Sequence, residues 1–186
     1  MSQSIVPIKI RPHLVPFFYK EFKGTEEAHY LNKRVKSCKI SLTSSLGKMI
    51  RNSLLQISYP EKIDKFNVFI SVTDVEKKEY TAEIYKCVSG QYSFLKVPEK
   101  VAADINDILE DQFRLVFFKT VESAVKYAPK IKIKEVIEDF MIAYNLDDYG
   151  YNLKSLHALY NRSADEQATM SRMQSKASNR VLNYKS

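Results

Sequence analysis

Apolar positions in the second half of the chain recur at helical spacing. After Pro98, apolar residues return every three or four positions up to about Tyr127, which predicts one helix of roughly 30 residues. The run Leu115–Phe118 is apolar on every side, so we expect the middle of this helix to be buried on both sides. Pro129 is expected to end the helical segment.

Two shorter helical patterns follow and predict a helical hairpin over residues 130–162. The first has an apolar stripe from Ile133 to Tyr144, and Asn145 suits a left-handed C-terminal cap. Asn152 suits the N-cap of the second helix, whose apolar face consists of Leu153, Leu156, Leu159 and Tyr160.

The first half instead shows strand-like patterns. Residues 33–42 alternate between apolar and polar positions, which predicts a half-buried strand. Thr43 or Ser44 can cap a following helix that ends at Tyr59-Pro60. Pro12 and Pro16 predict an irregular segment near the N-terminus. Further strands are predicted at 5–10, 66–72, 80–88 and 92–97, the last three as an antiparallel meander, extended by strand 33–42, with a hairpin at Ser89-Gly90.

These elements predict an α+β fold. We expect a mainly antiparallel sheet of four to five strands packed on the long helix, followed by the C-terminal hairpin and a basic tail. The expected divisions are an α+β core at 1–129, a two-helix subdomain at 130–162 and a basic, partly flexible tail at 163–186.

Composition favours a folded protein. The chain has 186 residues, of which 45% are hydrophobic and 27% charged, enough apolar material for a core. No apolar run reaches the length of a membrane span and no export signal is evident, so we expect an intracellular protein without membrane contact. Cys38 and Cys87 are expected to be free thiols, because a disulfide is rare in that compartment.

The net charge of +7 is unevenly distributed. Both ends are basic, whereas residues 101–150 carry 10 Asp/Glu and 6 Lys/Arg. A basic surface attracts polyanions such as nucleic acid. The same distribution would also let a basic end dock on the acidic middle of a neighbouring copy, and ordinary solubilising lysines would produce it too.

The second hairpin helix carries candidate nucleic-acid ligands away from its apolar stripe. Asn and Arg side chains can bond bidentately to adenine and guanine edges, and Lys and Ser suit phosphates. The connector of about six residues is longer than that of a strict helix-turn-helix, and Asp147 and Asp148 within it would repel phosphates. A plain hairpin with a solvated face therefore remains the alternative. The candidates are Lys154, Ser155, His157, Asn161 and Arg162.

Two further basic groups extend the candidate surface. In the tail, cations could track a phosphate backbone, although Val181 and Leu182 also favour docking on another subunit. The second group spans the strand at 33–42 and the helix after it, where a phosphate could be held. The tail candidates are Arg172, Lys176 and Arg180, and those of the second group are Arg34, Lys36, Lys39, Lys48 and Arg51.

Catalytic and metal signatures are missing from the sequence. The motif SSLGK lacks the first glycine and the spacing of a phosphate-binding P-loop, and neither GxGxxG nor GxSxG occurs. The cysteines and histidines have no zinc-ligand spacing. We therefore expect no enzymatic activity, no cofactor, no metal and no small-molecule substrate.

The run VIEDFMIAYNLDDYGYNLKSLHALYNR (136–162) resembles the C-terminal region of small uncharacterised proteins of bacterial phages and mobile elements. Those proteins have a helix of the form IxxFxxxYxL, an acidic-aromatic connector and a second helix ending in Tyr-x-Arg or Tyr-Tyr-Arg. The matching positions are Ile137, Phe140, Tyr144, Leu146, Tyr160 and Arg162, while Asn161 departs from the Tyr-Tyr-Arg form. The resemblance implies a phage or mobile-element origin.

Two functions are consistent with these observations. The first is a non-enzymatic DNA-binding accessory protein in the cytoplasm of a bacterial host. The alternative is a structural or assembly protein, such as a virion, connector or ring subunit, whose long helix and tail contact other subunits. Protein partners or self-association are expected in either case.

Overall fold

The structure is a computed structural model that describes residues 3–41, 43–73, 94–128 and 130–167. The chain divides into two compact units, one up to Ile105 and one from Asn106 onwards. No helix within the described ranges is both long and apolar enough to cross a membrane.

In its described residues, the first unit combines two small sheets with two helices and the start of a third. A four-stranded sheet has the order β1-β5-β3-β2, and β4 pairs with β6 in a separate two-stranded sheet. The elements are β1 (Gln3–Ile8), α1 (Leu14–Glu21), β2 (Thr25–Tyr30), β3 (Lys33–Lys39), α2 (Ser45–Ser53), β4 (Leu55–Ile57), a 3-10 turn (Ile63–Lys65), β5 (Val68–Thr73) and β6 (Phe94–Lys96).

The predicted α+β class and the mainly antiparallel sheet are confirmed. β1 pairs with β5 and β2 with β3, both antiparallel. The predicted extension of an antiparallel meander by strand 33–42 is wrong, because β3 lies parallel to β5, with Ser37 opposite Phe69. α2, β4 and the 3-10 turn lie between these two strands in sequence, and such a crossover is what parallel strands require. The predicted strand at 80–88 and its hairpin lie outside the described residues.

β2 is a strand that the sequence pattern did not predict. It forms a hairpin with β3 through a two-residue turn, in which Leu31 and Asn32 both have positive φ values, 50° and 61°. Positive φ at both central residues is the type I′ geometry, whose twist matches that of the flanking strands. The alternation of β2 is hard to recognise because its three exposed positions are polar and one of its two partly buried positions, Glu26, is polar as well.

Two helix predictions in this unit need correction. The segment with Pro12 and Pro16 is helical, not irregular, because Pro16 occupies the first turn of α1, where a backbone N–H has no partner within the helix. α2 ends at Ser53, earlier than predicted, and the apolar residues after it form β4. The predicted cap is confirmed: the Ser44 hydroxyl accepts a hydrogen bond from the Gly47 amide at 3.1 Å.

Polar side chains complete the backbone pairing of the main sheet. The Asn67 amide group donates to the Ile10 carbonyl at 2.7 Å and accepts from the Ile10 N–H at 2.9 Å, which continues the β1·β5 pairing beyond Ile8. The Tyr19 hydroxyl donates to the Lys36 carbonyl at 2.7 Å and accepts from the Phe69 N–H at 3.3 Å. Tyr19 thus bridges β3 and β5 at the point where their direct pairing begins.

The second unit is helical and contains most of α3 (Glu99–Tyr127), all of α4 (Ile133–Ala143) and α5 (Leu153–Gln167), and a 3-10 turn at Leu146–Tyr149. These bounds confirm the predicted long helix and helical hairpin. Asn145 has the predicted left-handed conformation, with φ 49° and ψ 42°.

Aromatic rings from three helices form the core of this unit. Phe117 and Phe140 meet edge to face with ring centroids 5.1 Å apart, and Phe113 contacts both Phe140 and Tyr151. Phe118 stacks on Tyr160 at 6.0 Å, which attaches α5 to α3. Such pairs stabilise by about 0.5–1.5 kcal/mol beyond their area burial.

Candidate nucleic-acid interface

The candidates on α5 lie along one side of that helix. Since helical residues are separated by about 100°, the five side chains occupy an arc of roughly 160°. Lys154, Ser155, Asn161 and Arg162 are exposed and His157 is half-buried. The opposite side is apolar, with Leu156 and Leu159 buried. The helix therefore presents an exposed polar surface on one side and packs against the rest of its unit with the other.

The N-terminus of α5 is organised by Asn152, as predicted. Its side-chain oxygen accepts hydrogen bonds from the Ser155 amide at 2.9 Å and the Ser155 hydroxyl at 3.1 Å. The Ser155 hydroxyl is therefore engaged in the cap. This favours a structural part for Ser155 over a phosphate contact.

Charge on the hairpin surface is mixed. Lys154 and Arg162 are exposed, and up to residue 162, where the described side chains end, neither has a carboxylate within 4.0 Å. Asp147 and Asp148 are also exposed, in the 3-10 turn just before α5. Two cations beside two carboxylates have no net charge, so they attract a polyanion little from beyond the Debye length of about 8 Å.

The second group lies on β3 and α2 of the first unit. Arg34 is exposed and forms an ion pair with Glu27 on β2. The Lys36 ammonium group lies 4.7 Å from the centre of the Tyr19 ring, a cation–π contact that keeps its charge on the surface. Lys39 is exposed where β3 ends.

On α2 the two candidates differ. Lys48 is exposed in the first turns of the helix, whereas Arg51 is half-buried and its Nε donates to Asn52 Oδ1 at 3.4 Å. Lys48 is thus available to a ligand and Arg51 is partly committed to the protein. The tail candidates Arg172, Lys176 and Arg180 lie outside the described residues.

The structure adds one cation that the sequence pattern had not singled out. Lys23 is exposed next to Gly24, whose carbonyl accepts a hydrogen bond from the Lys39 amide at 3.1 Å. The backbone of Lys23 therefore lies next to that of Lys39 at the open end of the β2–β3 hairpin. Recognition of β2 as a strand would have revealed this proximity.

The described cysteine and the acidic residues show no reactive arrangement. Burial raises the pKa of the Cys38 thiol, Glu26 raises it further and Lys36 opposes both. A raised pKa keeps the thiol protonated and unreactive at neutral pH. Among the residues whose positions are described, no cluster of three His, Cys, Asp or Glu could hold a metal ion.

A buried ion pair lies within α3. Arg114 Nε donates to Glu110 Oε1 at 2.6 Å, and the two side chains are 3% and 0% exposed. Both residues also make further interactions beyond this pair. Its burial and mutual neutralisation favour a structural role.

Comparison with known proteins gives no relative: no family model, no curated protein and no solved structure matches the chain.

Proposed function

We propose that this protein is a non-enzymatic nucleic-acid-binding accessory protein of a phage or mobile element, acting in the cytoplasm of a bacterial host. The observation that carries the proposal is the location of the charge. Residues 1–73 contain 12 Lys/Arg and 5 Asp/Glu, whereas residues 74–186 contain 17 of each. Residues 1–73, which lie within the first unit, thus carry a net charge equal to that of the whole chain, +7, and the remainder is neutral overall.

Three exposed lysines on the first unit have no ion-pair partner among the residues that the structure describes. Lys36, Lys39 and Lys48 are exposed, and no carboxylate within the described ranges lies within 4.0 Å of any of them. Ammonium groups of this kind bind phosphates without reading bases. We therefore assign the first phosphate contacts to β3 and α2, and a secondary contact to Lys154, Asn161 and Arg162 on α5.

Fluorescence anisotropy with labelled single- and double-stranded DNA at several salt concentrations tests the proposal. Because each phosphate contact contributes about 0.9 to the log–log salt slope on duplex DNA, a triple Lys36→Ala, Lys39→Ala, Lys48→Ala variant should lower the slope by about 2–3. A Lys154→Ala, Arg162→Ala variant should lower it less.

Lys119→Ala is the matched control, because this exposed cation on α3 is already neutralised by Glu122 at 2.8 Å. It should leave both affinity and slope unchanged. Absence of binding to either kind of DNA at low salt would refute the proposal. Equal loss in the control and the triple variant would show that the attraction is general and has no defined surface.

An assembly function is the second candidate, and exposed apolar side chains in the second unit favour it. Tyr127 is 78% exposed at the end of α3, and Ile142 is 66% exposed on α4. A virion or ring subunit would cover such residues with a neighbouring chain. Mass measurement in solution with and without nuclease separates the candidates: a stable nuclease-resistant ring favours assembly.

A further inference from the structure

The outer edge of β2 carries backbone groups that pair with no other described strand. The two-residue turn makes Tyr30 and Lys33 a hydrogen-bonded pair, and the pattern then alternates along the hairpin. The Lys39 amide bond to the Gly24 carbonyl fits this alternation. The even-numbered residues of β2 therefore bond to β3, and the N–H and C=O groups of Thr25, Glu27 and His29 point away from it.

This outer row, which we call the β2 edge, is exposed. The side chains of Thr25, Glu27 and His29 are exposed, and no backbone hydrogen bond from any of the three is present in the part of the chain that the structure describes. β2 is also the last strand in the order of the described sheet. An unpaired edge is a template for another strand, and native proteins usually blunt it with charge.

The charges of β2 select one pairing instead of preventing all of them. A two-fold antiparallel pairing of β2 with itself must align outward-facing residues, so it is centred on one residue, and the four most central registers are those of Glu26, Glu27, Ala28 and His29. Centred on Glu26, it would oppose two Glu26 carboxylates. Centred on Glu27, it would oppose two carboxylates. Centred on His29, it would oppose two imidazoles, each across from an Arg34. Centred on Ala28, it places each Glu27 opposite the His29 of the other copy.

We propose that the β2 edge is a self-association site, at which two copies of this chain pair antiparallel about Ala28. The Glu27 carboxylate then faces the imidazole of the second copy, and Ala28 faces its own counterpart without steric conflict. Glu26 falls opposite the Tyr30 of the other copy, whose hydroxyl keeps its own bond to the Glu61 carbonyl. The joined sheets form one continuous sheet of eight strands.

The side chains around His29 are compatible with this contact. Arg34 lies directly opposite His29 on β3 and is paired with Glu27 of its own chain, and Lys36 lies opposite Glu27. Each Glu27 can therefore keep its Arg34 partner while it accepts from a new imidazole. Because the edge is short, we expect a reversible dimer that dissociates on dilution, not an obligate one.

Sedimentation of the full chain from about 1 to about 500 µM measures the association directly, and 1.4 kcal/mol corresponds to each tenfold change in Kd. His29→Pro removes an outward-facing N–H while all bonds to β3 remain, and proline is tolerated on an edge strand. We expect this variant to weaken the dimer at least about tenfold, since it deletes one donor from each copy. His29→Thr, which keeps the donor and the strand propensity, is the matched control and should weaken it less.

Amide hydrogen exchange of the unmodified protein gives a readout that does not depend on how the variants fold. The Glu27 and His29 amides should gain protection as concentration rises, whereas the Ala28 amide, bonded to β3, should be protected throughout. A protein that stays monomeric over this range would overturn the proposal. So would a dimer that forms with unchanged Kd in His29→Pro, because its contact would lie elsewhere.

Discussion

At the scale of single residues, one tyrosine holds two strands together. Tyr19 supplies both the donor for the Lys36 carbonyl and the acceptor for the Phe69 amide. Tyr19→Phe removes both partners and leaves two backbone polar groups of the sheet unpaired, which costs about 1–3 kcal/mol for each group that is kept from water. We expect a lower urea midpoint with an unchanged slope.

Tyr59→Phe serves as the control for that change. Tyr59 is 83% exposed, so loss of its hydroxyl should leave the free energy of unfolding within about 0.5 kcal/mol. Equal effects of the two substitutions would contradict the bridging role of Tyr19.

A second residue stores backbone strain. Leu31 has φ 50° in the β2–β3 turn, where a leucine side chain is disfavoured and an asparagine is tolerated. Since Leu31 is 40% exposed and loses little packing, Leu31→Asn should stabilise the protein by about 0.5–1 kcal/mol in thermal or urea unfolding. Leu31→Ala keeps an unfavourable backbone and should give no gain. An equal gain from alanine would mean that exposed apolar area, not φ, is the cause.

At the scale of elements, α3 offers two ion pairs in opposite environments. Glu110 and Arg114 are buried, whereas Lys119 and Glu122 are about half exposed. Glu110→Ala leaves a buried guanidinium without this partner and should destabilise by about 3–5 kcal/mol. Glu122→Ala should change stability by no more than about 1 kcal/mol, because water screens exposed pairs. Urea unfolding of both variants measures the difference, and similar losses would show that Arg114 is satisfied without Glu110.

The elements also show which parts of the fold a sequence can reveal. α3, α4 and α5 were predictable because long apolar stripes persist over many turns and because Asn145 and Asn152 provide end signals. β2 was not, because its six residues include only Ala28 and Tyr30 as apolar positions. The parallel pairing of β3 with β5 was equally hidden, since strand order depends on tertiary packing and not on local pattern.

The residues of the candidate site could be predicted from the sequence, but which of their side chains are already bonded within the protein could not. Lysines and arginines on β3, α2 and α5 could be located from the pattern alone. Their partners could not: Arg34 pairs with Glu27 across a hairpin, and the Ser155 hydroxyl bonds to the cap residue Asn152. These contacts leave Lys36, Lys39 and Lys48 as the exposed cations on which the proposed nucleic-acid contact rests.

At the scale of the whole molecule, stability should depend on alkaline pH. Burial raises the pKa of Tyr30 above its ordinary value of 10.0, Glu61 raises it further, and the hydrogen bond to the Glu61 backbone opposes both. The pKa of Cys38 is likewise raised above 9.0 by burial. The unfolded chain therefore releases these protons at a lower pH than the folded protein does. In that range the folded protein binds more protons, so the free energy of unfolding falls as pH rises.

The contribution of both groups to the free energy of unfolding is fully present below about pH 8. It is lost progressively above about pH 9, because each group ionises first in the unfolded chain. Urea unfolding at a series of pH values should show a plateau near neutrality and a decline on the alkaline side. Cys38→Ala should remove the early part of the decline and Tyr30→Phe the later part, whatever their effect on stability at pH 7. Tyr59→Phe, at an exposed position, should leave the profile unchanged. A decline of the same steepness in the Cys38→Ala, Tyr30→Phe double variant would show that other groups cause the alkaline sensitivity.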